Sequence, residues 1–411
     1  MIRGVALLGI VIENILFFAM PVSRAIKGPW TLDGGLADSV AAYLDLVFGH
    51  YKFLGLFTLL FGFGLATQQA RLAASGAASI PFELRRIAWL AVAGLLHGLG
   101  LFFGDILFIF AGVALLTLPF LGRPTRLRLG LGLGLVVFSG VLAARGPLQS
   151  WLDQSSPPAP VMATDEQPSP QGPAIATTDR VRADTVTPPD AGGFEARFRN
   201  WKGSIGYGVR FYGWYLLGVV LIGTALRDLG FFREEHASRR TQVAVACLVI
   251  GLSIELVGFL PPHLRGGDGF ASVAWSFLHP ISAATVVIGY AGLITTLVEK
   301  RRFPIAGAFG ILGRMSLSGY LLESILLAAI FRSWGLGWYG SVGNAAAVAV
   351  GIAVFGVVMA AGLLWNRWFL LGPFEWCWRW FTYLQRPPMR RRTAVAGATS
   401  VDLRNRRPAD D

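Results

Sequence analysis

Long apolar segments recur along most of this 411-residue chain, and they limit the folds open to it more than any other feature. A helix needs about 17 to 25 mostly apolar residues to cross the hydrocarbon core of a bilayer. We therefore predict an all-α integral membrane protein with about ten transmembrane helices, over residues 4–20, 46–69, 87–103, 105–122, 127–144, 208–226, 242–260, 272–297, 313–331 and 343–365.

The composition excludes an ordinary soluble domain. Hydrophobic residues make up 54% of the chain and charged residues only 15%, whereas soluble domains carry roughly a quarter charged residues. The net charge of +12 comes from short basic clusters between apolar segments, so it indicates topology and not a nucleic-acid partner. Cys247 and Cys377 stand alone, and we predict no disulfide and no metal site.

The basic clusters predict the orientation of the helices. If Arg3 is cytoplasmic, the even-numbered connections should also be rich in Lys and Arg. They are, which predicts both termini in the cytoplasm and a bundle surrounded by the lipid bilayer. We expect that membrane to be the bacterial inner membrane. The basic residues of the even-numbered connections are Arg71, Arg85, Arg86, Arg123, Arg126, Arg128, Arg227, Arg233, Arg239, Arg240, Lys300, Arg301 and Arg302.

Four regions follow from this pattern. Residues 1–145 hold the first five predicted helices, and residues 146–205, rich in Pro, Ala, Ser and Thr, are expected to form a disordered extracytoplasmic loop. Residues 206–383 hold the last five predicted helices and a Trp-rich interfacial helix, and residues 384–411 form a basic cytoplasmic tail. Glu13 and Asn14 interrupt the first apolar segment, so we expect a retained helix there and not a signal peptide.

Polar residues at bilayer depth are candidates for a functional site, because burying them in hydrocarbon is costly. Counting at 1.5 Å per residue from Arg3 and Arg86 places Glu13, Asn14 and His97 about 15 to 17 Å into the membrane, near its midplane. His97 is either a general base or a histidine hydrogen-bonded between helices. Glu13 and Asn14 either coordinate substrate or hold helices together through hydrogen bonds.

Asp105 begins the fourth predicted helix, after a tight turn expected near Phe103 and Gly104. A carboxylate there caps free backbone N–H groups, and we expect it near the outer surface. It could also orient His97, but only if the glycine-rich stretch between them unwinds, because about eight residues of helix would separate the two by roughly 12 Å.

Glu323 is a further candidate for substrate binding. It follows Arg314 by nine residues, or about 13 Å in a continuous helix, which places it in the midplane layer. The alternative is a structural carboxylate neutralised by Arg314. Glu255 and His279 are expected in the outer leaflet.

Several motifs together resemble the domain-of-unknown-function 418 family, also called YeiB-like membrane proteins. The resemblance covers nearly the whole chain except residues 146–205. The motifs are Arg-Gly-Val-Ala-Leu-Leu-Gly-Ile at 3–10 with Asn14, Leu-Phe-Gly-Phe-Gly at 60–64, Arg85-Arg86, Leu-His-Gly and Gly-Asp-Ile-Leu within 96–107, Gly-Arg-Met-Ser-Leu-Ser-Gly-Tyr-Leu at 313–321, and Gly-Pro-Phe-Glu-Trp-Cys-Trp-Arg at 372–379.

That family is distantly similar to membrane acyltransferases, which move an acyl group from a cytoplasmic thioester to an acceptor outside. The resemblance implies catalysis by His97, Asp105 and Asn14, with Asn14 donating to the oxyanion. No cofactor is expected to be resident, but an acyl-CoA-like donor would bind near Arg85, Arg86 and Arg314.

Two alternatives remain open. The chain could be a transporter for a small molecule or for protons, in which Glu13, Glu323 and His97 carry the coupled ion. It could also be a non-catalytic assembly or stress protein, and an oligomer is compatible with every reading.

Overall fold

The computed structural model describes residues 1–25, 29, 34–76, 79–155, 192–261, 264 and 269–391. Within these residues the only β-pairing is an isolated bridge between Phe369 and Arg390, which confirms the all-α prediction. The helices are α1 (Ile2–Ala19), α2 (Val22–Ala25), α3 (Leu36–Leu44), α4 (Lys52–Ala74), α5 (Ser79–Gly100), α6 (Leu107–Thr117), α7 (Thr125–Ser155), α8 (Gly193–Arg210), α9 (Tyr212–Asp228), α10 (Ala237–Gly258), α11 (Phe270–Glu299), α12 (Ala306–Arg314), α13 (Ser316–Phe331), α14 (Asn344–Trp365) and α15 (Pro373–Tyr383).

Six helical segments in the described part of the chain are long and apolar enough to cross a membrane. The number rises to eight if two bent pairs each count as one span: α8 with α9, bent by 57°, and α12 with α13, bent by 89°. Helix α6 is apolar but shorter. These helices support a multi-pass membrane protein, while the number of ten spans and the position of the termini stay predictions.

The outer surface of the bundle is apolar. Only 17% of the most apolar stretch around α10 is buried inside the protein, and side chains such as Val245, Val249 and Val257 point outward. A contiguous apolar exterior of this kind is unfavourable in water and is stable against lipid.

The interior is organised around two hydrophobic clusters. The first cluster joins side chains of α4, α6, α7, α9 and α11, among them Leu59, Val220 and Val287. The second joins α1, α12, α13 and α14, and it also includes Phe102, from the connection between α5 and α6, and Leu107, the first residue of α6. That connection therefore lies where the two clusters meet.

The region predicted as a loop over residues 146–205 is helical at both ends. Helix α7 continues to Ser155, and α8 starts at Gly193. Trp201 lies within the segment predicted to be disordered, yet it is only 8% exposed and anchors α8 to the bundle. Residues 156–191 of that predicted loop lie outside the described residues.

The ninth predicted span is broken, which corrects the predicted depth of Glu323. Helix α12 ends at Arg314 and α13 begins at Ser316, at an angle of 89°. The count of nine residues from Arg314 assumed one straight helix, so it does not measure depth along the membrane normal.

The predicted topology makes a direct expectation for the region between α7 and α8. Protease added to intact spheroplasts should cut within the predicted loop 146–205, because the positive-inside count places that loop outside the cytoplasm. Cleavage only in inverted vesicles would reverse the orientation.

Helices α4 and α9 approach each other closely through two glycines. A Cβ on Gly223 would lie 2.1 Å from the Leu59 carbonyl oxygen, and one on Gly62 would lie 2.1 Å from that of Val220. Contacts this short force backbone movement, so we expect Gly223→Ala to lower the free energy of unfolding in detergent by about 1–3 kcal/mol.

Gly134 on α7 provides the matched control, because a Cβ there meets no atom within 4 Å. Gly134→Ala should be neutral or stabilising by up to about 1 kcal/mol, since alanine favours helix over glycine. Equal effects of the two substitutions, measured by denaturant titration, would contradict the close approach of α4 and α9.

Candidate functional site

Three buried side chains form a continuous hydrogen-bonded chain where the two hydrophobic clusters meet. His97 Nδ1 lies 2.8 Å from Asp105 Oδ1, and His97 Nε2 lies 2.9 Å from Ser324 Oγ. His97 and Ser324 are each 2% exposed, and Asp105 is fully buried. The order carboxylate, imidazole, hydroxyl is that of a catalytic triad.

Local unwinding brings Asp105 to His97. Helix α5 ends at Gly100, and the backbone N–H groups of both Leu101 and Phe102 donate to the His97 carbonyl oxygen. The chain then runs without regular helix until α6 begins at Leu107. Because of this break, Asp105 returns to His97, which the sequence allowed only if the glycine-rich stretch unwinds.

Asp105 also caps a helix, so it fills both of the roles considered for it: it caps backbone N–H groups and it orients His97. Its second carboxylate oxygen, Oδ2, accepts from the backbone N–H of Phe108 at 2.9 Å. Gly94 leaves room for this arrangement, because a Cβ there would lie 2.7 Å from Asp105 Oδ2. The cap fixes the carboxylate while its other oxygen holds the imidazole.

Aromatic rings surround the site and shield it from solvent. The Tyr320 ring lies 4.9 Å from the His97 ring, and Phe102 stacks on Phe18 at 4.4 Å. Trp201 of α8 packs on Phe108 with 5.2 Å between ring centroids. In such an apolar setting, hydrogen bonds to His97 are stronger than they would be in water.

The hydrogen bonds assign a chemical role to each nitrogen of His97. A carboxylate only accepts, so Asp105 selects the tautomer in which Nδ1 carries the proton. The free lone pair then lies on Nε2, where it accepts the proton of the Ser324 hydroxyl. An imidazole placed in this way can take a proton from a serine hydroxyl that attacks as a nucleophile.

Sequence reasoning missed Ser324. The residue sits in an apolar stretch, and a serine in a membrane helix usually hydrogen-bonds its own backbone or a neighbouring helix. Its place beside Glu323 was the one available signal, since polar residues rarely occur in adjacent positions of such a helix.

Glu323 does not pair with Arg314, contrary to the structural alternative. Both Glu323 carboxylate oxygens are buried without a hydrogen-bond partner among the described residues. Arg314 is exposed and reaches Asn366 Oδ1 at 3.5 Å. The sharp bend between α12 and α13 turns Arg314 away from the helix that carries Glu323.

Glu13 and Asn14 are not part of the His97 chain. Asp105 and Ser324 occupy the two ring nitrogens of His97, so Asn14 is not its partner, and its oxyanion role stays a prediction. Glu13 faces Asp45 and Lys52 in a separate polar cluster.

The two predicted donor-binding arginines on α5 contact α15. Arg85 Nε donates to the Thr382 carbonyl oxygen at 2.9 Å, and Arg86 donates to Gln68 Oε1 at 2.9 Å. The Arg86 guanidinium also lies over the rings of Phe61 and Trp378, at 5.2 and 5.1 Å. These contacts stabilise the predicted cytoplasmic end of the bundle.

Glu375 of α15 joins this end of the bundle to α13. Its Oε1 accepts from the backbone N–H groups of Leu317 and Ser318 at 2.7 and 3.1 Å, and its Oε2 accepts from the Ser318 hydroxyl. Burial raises the pKa of the Glu375 carboxyl, although these hydrogen bonds oppose that shift. The carboxylate caps α13 where the bend exposes its first N–H groups.

Asp105→Asn should change the His97 tautomer without unfolding the protein. The asparagine oxygen can still accept from Phe108 N–H, but its amide would then donate to Nδ1 and move the proton to Nε2. Nitrogen-15 NMR of histidine-labelled protein measures the tautomer. An unchanged Nδ1–H tautomer in the variant would contradict the bond between His97 and Asp105.

Comparison with known proteins finds a family model and several bacterial relatives. Residues 226–385 match the family model described as "Protein of unknown function (DUF418)". The chain is 28% identical to the uncharacterized protein YeiB of Escherichia coli (strain K12) over 408 residues, covering 96% of this chain and 97% of that protein.

Two proteins of bacilli are also similar. The uncharacterized protein YxaH of Bacillus subtilis (strain 168) is 27% identical, with 96% of each chain covered. An uncharacterized 39.9 kDa protein encoded in the amylase 3' region of Bacillus acidopullulyticus is 22% identical, with 94% of each covered. No solved structure matches the chain. The chain is thus similar over nearly its whole length to YeiB and YxaH, and its residues 226–385 match the DUF418 model.

Proposed function

We propose that the protein transfers an acyl group from a cytoplasmic thioester donor, of the acyl-CoA type, to a hydroxyl or amine acceptor on the other side of the membrane. The observation that supports this proposal is the buried chain from Asp105 through His97 to Ser324. Acyl transfer needs an activated nucleophile, a base that can return a proton, and exclusion of water.

In the first half-reaction, Ser324 Oγ attacks the thioester carbonyl carbon while its proton passes to His97 Nε2. The carbon–sulfur bond breaks, and the leaving thiolate takes the proton from His97. The products are a free thiol and an acyl ester on Ser324. Asp105 stabilises the transient imidazolium without taking the proton itself.

The second half-reaction returns the site to its starting state. His97 Nε2 takes the proton of the acceptor, whose oxygen or nitrogen attacks the ester carbon. The bond from that carbon to Ser324 Oγ breaks, and His97 returns the proton to Ser324. Because water would hydrolyse the ester, the aromatic surroundings of His97 suit this chemistry.

The donor would approach from the end of the bundle that carries the arginines. Arg86 precedes His97 by eleven residues on α5, or about 16 Å of helix. A donor bound at Arg86 or Arg314 therefore needs a long flexible arm between its phosphates and its thioester, as acyl-CoA has. The acceptor would approach from the side covered by Trp201 of α8.

The test is acyl transfer by purified protein in proteoliposomes, with a labelled acyl-CoA donor and a panel of hydroxyl and amine acceptors. Ser324→Ala and His97→Ala should each lower transfer by about 10²- to 10⁴-fold, because each removes a group that acts in the transition state. Folding of each variant is followed by gel filtration.

Two substitutions serve as matched controls. Ser253→Ala changes a serine exposed on α10, and His236→Ala changes a histidine that is 43% exposed. Both should leave transfer at the wild-type level. Wild-type transfer in folded Ser324→Ala and His97→Ala would refute the mechanism, and no transfer from any donor by the wild-type protein would refute the function.

A further inference from the structure

A second cluster of buried charged side chains lies away from His97, and no step of acyl transfer uses it. It brings together Glu13 of α1, Asp45 from the segment before α4, Lys52 of α4, Glu255 of α10 and His279 of α11. In hydrocarbon, charged residues are costly and mark ion or proton pathways.

Within this cluster, the charges of Lys52 and Glu255 neutralise each other. Lys52 Nζ lies 2.7 Å from Glu255 Oε2, and both side chains are fully buried. Glu255 also faces His279 Nδ1 at 3.1 Å and accepts from the Ser282 hydroxyl. With three donors around one carboxylate, Glu255 is stable in its charged form, and it neutralises Lys52.

The histidines do not supply a further positive charge. His279 Nδ1 faces Glu255, and its Nε2 is buried without an acceptor within the described residues. A charged imidazolium would leave that N–H unsatisfied. The His50 ring stacks on His279 with centroids 5.6 Å apart, where two charged rings beside Lys52 would repel.

Glu13 and Asp45 are therefore left without a cation of their own. Glu13 Oε1 and Asp45 Oδ1 are both buried and without a hydrogen-bond partner in the part of the chain that the structure describes. A Cβ on Gly49 would lie 2.5 Å from Asp45 Oδ1 and 3.9 Å from Glu13 Cγ, so the two carboxyl groups are neighbours. Two adjacent carboxylates in an apolar interior cannot both be ionised at reasonable cost.

The backbone around Glu13 adopts two rare conformations. Residues Asp45–Gly49 form a π-helical turn, and Tyr51 has a left-handed φ of 65°. The backbone N–H groups of Tyr51 and Phe53 interact with the Glu13 carboxyl. Such conformations concentrate at functional sites, because the surrounding structure must compensate for them.

We propose that Glu13, together with Asp45, is an exchangeable proton-binding site within the membrane, separate from the acyl-transfer site. One proton resides on Glu13 beside the Asp45 carboxyl, and after its release the charge of Lys52 compensates the new negative charge. The ligand of this site is the proton itself, and the site does not depend on the proposed acyl transfer.

Titratable groups surround Glu13 from several elements. They are Asp45 before α4, Tyr51 and Lys52 at the start of α4, and Tyr215 of α9. Glu255 of α10 contacts Lys52, and His279 of α11 contacts Glu255. Lys52 is the only lysine or arginine among them, and Glu255 already holds it. The local balance therefore favours a bound proton at Glu13.

A membrane-permeant carbodiimide tests the proposal in the full-length protein. The reagent adds across a protonated carboxyl in an apolar site and gives a stable N-acylurea, which mass spectrometry locates. We expect labelling of Glu13 that increases as the pH falls, and its loss in Glu13→Gln. Asp45→Asn removes the like charge, so the same labelling should require a lower pH.

Glu255 provides the internal control, because its ion pair with Lys52 should keep it unlabelled over the same pH range. Infrared difference spectra between high and low pH test the site without a reagent. The wild-type spectrum should show the carbonyl band of a protonated carboxyl, and this band should be absent in Glu13→Gln. Absence of both the adduct and the band would overturn the proposal. Loss of labelling on adding sodium or potassium at constant pH would overturn it too, in favour of a metal cation.

Discussion

The contact between His97 on α5 and Ser324 on α13 is the interaction on which the rest of the structure depends. It joins the first half of the chain to the second, at 2.9 Å, where the two hydrophobic clusters meet. A polar group buried in hydrocarbon costs several kcal/mol when it is left unpaired. The unwound stretch after Gly100 brings Asp105 to His97, and the hydrogen bond from Phe108 N–H to Asp105 satisfies the second carboxylate oxygen.

The two proposed sites, at His97 and at Glu13, handle protons in different ways. In the proposed acyl transfer, a thioester and an alcohol give an ester and a thiol, so every proton that His97 takes is returned and no net proton is needed. The Glu13 and Asp45 site is therefore chemically independent of the reaction. Its separate helices and its own ion pair between Lys52 and Glu255 are consistent with that independence.

Sequence alone predicted what hydropathy and charge determine. The all-α fold, the positions of most helices and the choice of His97 as a candidate follow from apolar length and from the cost of burying a polar residue. The breaks in the helices could not be predicted from the sequence. Nothing in the pattern of residues 313–331 indicated the 89° bend. The return of Asp105 to His97 depends on unwinding after Gly100. Ser324 was missed because its role comes from a contact 227 residues away in the chain.

The central claim is that Ser324 carries the acyl group between donor and acceptor. The most direct measurement is a single turnover of wild-type protein with a labelled acyl-CoA in the absence of acceptor, followed by peptide mass spectrometry. The account predicts an acyl ester on Ser324 that accumulates to about one per protein molecule and discharges when acceptor is added. Transfer to acceptor with no acyl group on Ser324, or with the group on another residue, would contradict it.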